Sequence, residues 1–559
     1  MYPEIRNPSR LKLPPGISPL LAAMFSDYRV IVVKDEFSSL GYSGSWVYRV
    51  HLLKGSDVPE LPLVVKIAPS SAIAQEVRAF QECVRNQWPG IAELRDQPVY
   101  LDKDGLGGLC YPLMGGGVFR MQSLREYCLQ ADTEDVLFVL RERLFRMMKE
   151  RMLRPAQNGF EFSLRASYDR LLPVNLLVEP KPDAPPGWGE SRQDAAPTHI
   201  VPGGIPDSPP QPGQRVCLEG FTVTEVNPRQ RSVTLDVPPG CTSCAYRWRL
   251  QPVDDLAAYA LDERAPRIEG VVCETRQSRF RSELVPVLGS EFDPASETVT
   301  TPDGQVLPNP LLATPDLLAR SRHIKVSAIH GDLNLENVLV DPQVRDVRLI
   351  DFARARRDHV LHDFFRLETE VVTKLLPAAL AEAQVPSHAI GSFYRELHWA
   401  ECGPDTSGAH CFLHPALEKT FAILRALREA SREGLYCRDD VNEYYEGLVL
   451  YLLSALKFRN LGVVSKQVAF WGAATAVDLL QRPVHDAQAS RTRRLVMSVE
   501  IARAFSIRLL LCVDDLRQRT LCSEGSLCLT RPKGDSGHRN SMGGRGHLES
   551  PVLNAEKHS

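Results

Sequence analysis

Apolar residues along this chain follow two periods, and the change from one to the other divides it. Near the start the period is two, as in strands. Tyr28 to Val33 and Trp46-Val47-Tyr48-Arg49-Val50-His51-Leu52 read as strands joined through the turn Leu40-Gly41-Tyr42-Ser43-Gly44-Ser45. Leu63-Val64-Val65-Lys66-Ile67-Ala68 is a third strand, apolar except for one lysine. Ala72 to Arg85 shows helical spacing. Val99 to Leu101 and Leu109-Cys110-Tyr111-Pro112-Leu113 return to strands across Asp104-Gly105, and Met114-Gly115-Gly116-Gly117 breaks the pattern. Helical spacing resumes in Leu124 to Gln130 and Thr133 to Arg154.

Between residues 179 and 214 prolines and glycines dominate, which predicts an extended linker. Strand patterns follow at Arg215 to Val226, Ser232 to Val237, Ala245 to Leu250 and Arg267 to Thr275, with turns at Asn227-Pro228-Arg229 and Pro238-Pro239-Gly240. They predict an inserted all-β domain over 215–285, a small barrel or sandwich of OB-like type. Asp293 to Asn309 reads as loop. Val338-Leu339-Val340 and Val347-Arg348-Leu349-Ile350 form a hairpin across Asp341-Pro342. Thereafter the period is helical, in Asp363 to Leu376, Phe412 to Glu429, Asp440 to Arg459 and Gln467 to Leu480, with one further helix at Arg493 to Leu516. The end, Thr530 to Ser559, is rich in Gly, Ser, Arg and Asn and is expected to be disordered.

The divisions are an N-terminal segment (1–27), a β-rich part (28–113), the start of a helical part (114–178), the linker (179–214) and the β insertion (215–285). A return segment (286–325), the main helical part (326–480) and a tail (481–559) complete the chain. The fold class is α+β.

Composition narrows function only a little. At 559 residues, 43% hydrophobic and 24% charged, the chain is an ordinary globular protein of two or three units. A formal net charge of −3 does not point to nucleic acid or an anionic membrane. The thirteen cysteines suit reduced thiols in a cytoplasm. Cys241-Thr242-Ser243-Cys244 is the one close pair, and without a second paired set it reads as incidental rather than metal-binding. No signal-peptide pattern is seen at the start, where Arg6, Arg10 and Lys12 stand among prolines. The apolar run Ala504 to Val513 is too short to span a bilayer.

The chemistry concentrates in Ile329-His330-Gly331-Asp332-Leu333-Asn334-Leu335-Glu336-Asn337 and Leu349-Ile350-Asp351-Phe352-Ala353. A carboxylate at Asp332 can orient or deprotonate a hydroxyl, and Asn337 with Asp351 can offer hard oxygens to Mg²⁺. The hairpin between them returns the chain so that Asp351 faces Asn337. Upstream, the lysine inside an apolar strand needs an anion, because an unpaired buried ammonium is costly. Glu76 is the favoured partner for Lys66, with Glu82 as its rival. The turn at Gly41, Ser43 and Gly44 can offer backbone N–H groups to phosphates or be an ordinary hairpin. Adenine would then lie against backbone groups of Tyr111, Leu113 and Met114.

In that order these parts resemble the protein-kinase-like superfamily, over roughly two thirds of the chain. The resemblance implies a bilobal fold with ATP and Mg²⁺ as cofactors. Gly331 stands where eukaryotic protein kinases usually carry arginine, and Asn334 where serine/threonine kinases carry lysine. Only about a dozen residues separate Asp351 from the helix near Asp363, which leaves no room for a long activation segment. Both features are similar to the aminoglycoside phosphotransferase and choline kinase branch. Within it, the glycine turn, Lys66 with Glu76, and the β insertion resemble the ternary-complex-associated kinase-like proteins of bacterial conflict systems.

The resemblance implies a catalytic set of Asp332, Asn337 and His330. Asp332 is the base, Asn337 and Asp351 are metal ligands, and Lys66 is the phosphate holder. It places the His330 ring under the loop rather than as a general acid. Asp363 accepts hydrogen bonds from that loop or is a plain helix N-terminal carboxylate. Arg354, Arg356 and Arg357 meet a phosphate or form a solvated basic run. The expected partners are a nucleotide, a hydroxyl acceptor of unknown identity, and proteins through the β insertion, with no membrane. A catalytically weak nucleotide-binding scaffold is the alternative. Nucleic acid is disfavoured, since Tyr246 and Trp248 share one strand face and suit a core better than base stacking between Arg247 and Arg249.

Overall fold

In the computed structural model, residues 3–481 are described, except for 37–44, 55–59, 86, 89–90, 92, 102–104, 114–120, 182–195, 203–209, 229, 239–246 and 403–413. The expected helix at 493–516, the tail, the Cys241/Cys244 pair and Tyr246 therefore lie outside the described residues.

The first sheet has six strands in the order Glu4–Arg6, Val30–Glu36, Trp46–Leu53, Leu63–Pro69, Leu106–Pro112, Val99–Leu101. Its alternation sorts side chains to two faces. Leu63, Val65 and Ile67 pack with Ile17, Leu20 and Leu21 of the helix Ile17–Met24. Ala68 and Leu109 pack on the opposite face with Ile73 of the helix Ser70–Cys83. Burial on both faces explains why the lysine strand is apolar at nearly every position. The N-terminal segment is thus part of the sheet. Its strand pairs in parallel with Val30–Val32, and its helix approaches so closely that a Cβ on Gly108 would lie 2.4 Å from Met24 Sδ.

The insertion is a seven-stranded sheet ordered Thr198–Ile200, Arg215–Leu218, Ile268–Thr275, Leu176–Pro180, Trp248–Leu250, Ser232–Asp236, Thr222–Asn227. It differs from the expected segment at both ends. Leu176–Pro180 is a central strand, pairing with both Ile268–Thr275 and Trp248–Leu250, so the linker begins after it. Thr198–Ile200, inside the expected linker, is an edge strand. At the other end, Phe280 and Leu284 of the helix Arg276–Leu288 join the core of the helical part. The proline-rich composition around both early strands hides their short apolar runs. Trp248 lies in the insertion's core, 1% exposed and edge-on to Phe221 at 5.6 Å. Arg249 pairs with Glu225 at 3.4 Å, and Arg247 is buried.

The helical part is organised around Asn442–Ala455, buried at every residue from Glu443 onward, and Val463–Gln481. Pro415–Ser431 and the run His362–Glu370, Val371–Leu375, Leu376–Glu382 pack in the same core. Two three-stranded sheets support the central loop. Ser321–Ile329 lies between Arg356–His359 and Gln157–Ser163, and Val338–Asp341 lies between Asp346–Leu349 and Gln122–Ser123. The segment read as loop over 293–309 holds a hairpin, Thr298–Thr300 with Val306–Pro308, and the helix Pro310–Ala319 follows it. No described helix is long and apolar enough to cross a membrane.

Candidate active site

Lys66 reaches from the middle of its strand, on the face opposite Val65 and Ile67, and is 7% exposed. Its ammonium lies 2.9 Å from Glu76 Oε2 and 2.9 Å from Asp351 Oδ1. Glu76, 4% exposed, accepts a second hydrogen bond at Oε1 from the Tyr111 hydroxyl at 2.8 Å. Glu82, the rival, is not among the described partners of Lys66. Burial alone would push the Lys66 ammonium down. Asp351 and Glu76 reverse that and raise it above its ordinary value. The same ammonium holds the Asp351 carboxyl below the usual carboxylate range. Burial, then Glu76, raises the Tyr111 phenol well above its normal value.

Asp351 ends the hairpin in a left-handed backbone conformation, φ +62°. Aspartate tolerates this better than most residues, for which it costs about 1–2 kcal/mol. Its side chain is 43% exposed. Asn337 is tied to the same place, since its carbonyl accepts from the Ile350 amide at 3.1 Å. Its Nδ2 donates to the Asp332 carbonyl at 2.9 Å. Among the described residues, Asn337 Oδ1 and Asp351 Oδ2 carry no hydrogen bond. Two hard oxygens beside the buried lysine fit Mg²⁺, which retains waters and needs few protein ligands. No described group of three or more His, Cys, Asp or Glu suits a metal held by protein alone.

The loop between these points has its own framework. Asn334 Oδ1 accepts from the amides of Glu336 at 2.9 Å and Asn337 at 3.0 Å, a turn that a lysine at this position could not close. Gly331 has φ +79°, and a Cβ there would lie 2.1 Å from the Arg354 carbonyl oxygen. Neither arginine nor any other side chain fits at that position without movement of the chain.

Asp363, fully buried, receives the amides of His330 at 2.8 Å and Gly331 at 2.9 Å. Burial raises its pKa, opposed by His330 and these two donors. His330 is 0% exposed and lies beneath the loop. Its Nε2 meets the Ile350 carbonyl at 2.9 Å, and its ring packs 4.6 Å from Phe352. Phe352 also meets Phe80 of the Glu76 helix, with ring centroids 6.5 Å apart.

Asp332 contributes a finding the pattern did not announce. Its Oδ1 accepts from Arg366 Nε at 2.9 Å, and Arg366 Nη1 lies 3.2 Å from Glu370. The signal was present, because Arg366 stands three residues after Asp363 and so shares its helix face. Arg356 is internally bound, to Asp358 at 2.7 Å and the Arg354 carbonyl at 3.1 Å, and Arg357 donates to Gln157. At the other end of the site, the Leu113 amide donates to the Pro62 carbonyl at 3.1 Å and is spent there. Gly41, Ser43, Gly44 and Met114 lie outside the described residues.

A buried lysine held by a helix glutamate and a strand-end aspartate, beside an Asp-x4-Asn loop, defines a kinase-like chain. It belongs to the ternary complex associated domain 9 family, whose model matches residues 31–457. No curated protein matches it. It is similar to the solved structure of a thermostable mutant of aminoglycoside phosphotransferase APH(4)-Ia in ternary complex with ADP and hygromycin B. The identity is 10%, the TM-score 0.32, and the match covers 83% of this chain and 97% of that one. It is also similar to amicoumacin kinase hAmiN in complex with AMP-PNP, Ca²⁺ and Ami, at 10% identity and TM-score 0.31, over 81% of this chain and 91% of that one.

Proposed function

We propose that this protein is an ATP- and Mg²⁺-dependent phosphotransferase acting on a hydroxyl acceptor. The observation that carries the reading is Lys66, held 2.9 Å from both Glu76 and Asp351. Lys66 would bind the nucleotide phosphates, with Glu76 fixing its direction. Asn337 Oδ1 and Asp351 Oδ2 would hold Mg²⁺, which neutralises charge on the transferring phosphoryl group. Arg366 occupies one Asp332 oxygen and leaves Oδ2 for the acceptor. Asp332 then takes the hydroxyl proton as that oxygen bonds to the γ-phosphorus. The bond from phosphorus to the β–γ bridging oxygen breaks, and ADP leaves with the electron pair.

The test is turnover of γ-labelled ATP by purified protein and by Asp332→Asn, with a lysate as acceptor source. Loss of roughly 10²–10⁴-fold is expected for the variant. Equal background turnover by both proteins sinks the enzyme reading. A second reading, a nucleotide-binding scaffold, is favoured by the Arg366 bond on Asp332 and by the family's description as complex-associated. It predicts that ATP stabilises both proteins equally while neither turns it over.

A further inference from the structure

A buried polar network lies between the seven-stranded sheet and the catalytic loop, and it passes through one turn, residues 167–169. On the side of the insertion, Asp169 receives Arg276 through two hydrogen bonds, Nη1 to Oδ1 at 2.8 Å and Nη2 to Oδ2 at 3.1 Å. Arg247, next to the core residue Trp248, adds a contact at 3.4 Å and donates to the Leu172 carbonyl at 2.9 Å. Arg247 immediately precedes the strand Trp248–Leu250 and Arg276 immediately follows Ile268–Thr275, two strands of that sheet, and Asn175 Oδ1 ties them together by accepting from each.

On the other side, the two preceding residues grip the segment that holds the loop. Ser167 donates to Asp358 Oδ1 at 2.9 Å and meets His362 Nε2 at 2.5 Å. The Tyr168 hydroxyl lies 2.6 Å from His359 Nδ1, and its ring stacks on His362 at 4.4 Å. Asp358 and His359 are on the strand paired with Ser321–Ile329, which runs into His330. His362 starts the helix whose next residues, Asp363 and Arg366, hold the His330 and Gly331 amides and the Asp332 carboxylate. Ser167, Tyr168 and Asp169 are 3%, 0% and 6% exposed, so water does not substitute for these contacts.

We propose that Ser167, Tyr168 and Asp169 are positioning residues of the catalytic loop, through which the inserted β domain sets the placement of Asp332. A polar network of this kind has few arrangements that satisfy all its members, so a shift of the clamp at Asp169 is passed on rather than absorbed locally. A macromolecule that moves the insertion would thereby change phosphoryl transfer without touching the nucleotide. The proposal rests on the phosphotransfer reading for its kinetic consequence only.

The experiment uses the full chain and hydrogen–deuterium exchange, which reads the loop whether or not the protein turns over ATP. Asp169→Asn cuts the charged clamp and leaves Asp358, His362 and the loop intact. Exchange of the His330 and Gly331 amides is expected to rise about tenfold or more, while amides of Asn442–Ala455 keep their wild-type rates. Arg276→Lys, which retains the charge but not the two-pronged contact, is expected to give a smaller rise of the same pattern. Wild-type exchange at His330 and Gly331 in Asp169→Asn, with faster exchange at residues 247–250, overturns the proposal. If Asp169→Asn loosens Asn442–Ala455 as well, Arg276→Lys decides: uniform acceleration there also overturns it. In turnover assays the variants should lose kcat and keep their nucleotide Kd. Absence of turnover in the wild type would sink the phosphotransfer reading and leave the exchange result standing.

Discussion

Lys66 shows how far a single residue can be read. A lysine in an apolar strand demands an anion, and that demand alone led to Glu76. The second anion, Asp351, was expected only as a metal ligand, and its pairing with Lys66 at 2.9 Å comes from the structure. What no local pattern gave was the hydroxyl of Tyr111 on Glu76, because the tyrosine reads as an ordinary strand residue. The arrangement makes a double prediction. Lys66→Met leaves Glu76 buried with Tyr111 as its one remaining partner among the described residues, and it should cost about 3 kcal/mol in denaturant unfolding. Adding Glu76→Gln should restore most of that stability while ATP affinity stays lost. If the double variant is no more stable than the single one, the carboxylate was not the burdened group.

At the scale of elements, the strand Arg356–His359 and the helix His362–Glu370 act as one bracket behind the loop that carries Asp332. Helical spacing predicted the helix to within a residue at its start. The bracket's contacts were not legible, since Ser167, Tyr168 and Tyr451 come from segments far away in sequence. The protonation state of His362 follows from them. Ser167 donates its proton to Asp358, so His362 Nε2 donates to Ser167 and Nδ1 accepts from Tyr451 at 2.8 Å. The ring is satisfied when neutral, and burial pushes its pKa down to about 4. Its folded pKa is below its ordinary value, so the unfolded chain binds a proton first as pH falls. Stability should be constant above about pH 6.5 and decline by up to about 1.4 kcal/mol per unit between there and pH 4 from this residue. Comparing the pH slope of unfolding with that of His362→Gln isolates the effect. Identical slopes would mean the ring is charged in the fold.

For the whole molecule, nucleotide and metal are the natural probes. ATP with Mg²⁺ at a hundred times its Kd should raise stability by about 2.7 kcal/mol. EDTA should remove part of that in the wild type and none of it in Asp351→Asn, as read from thermal unfolding. A wild-type shift that ignores EDTA would remove the metal from the proposal. At this scale the sequence was legible where apolar period and motif agreed, as in the order of strands around Lys66 and in the helices after Asp351. It misled where composition outweighed pattern. The strands Leu176–Pro180 and Thr198–Ile200 are short and lie beside prolines, so an average over the region reads as linker. The N-terminal strand, only three residues long, has no periodic signal of its own and is held by its partner's edge.

That central strand of the insertion has a consequence for synthesis. Leu176–Pro180 leaves the ribosome long before either neighbour exists, and Ile268–Thr275 is translated about ninety residues later, a delay of roughly 5–20 seconds. Until Trp248–Leu250 is made, about seventy residues after it, this apolar strand with two open edges has neither of its sheet partners. Slowing elongation between the two strands should therefore lower soluble yield without any change in the finished protein.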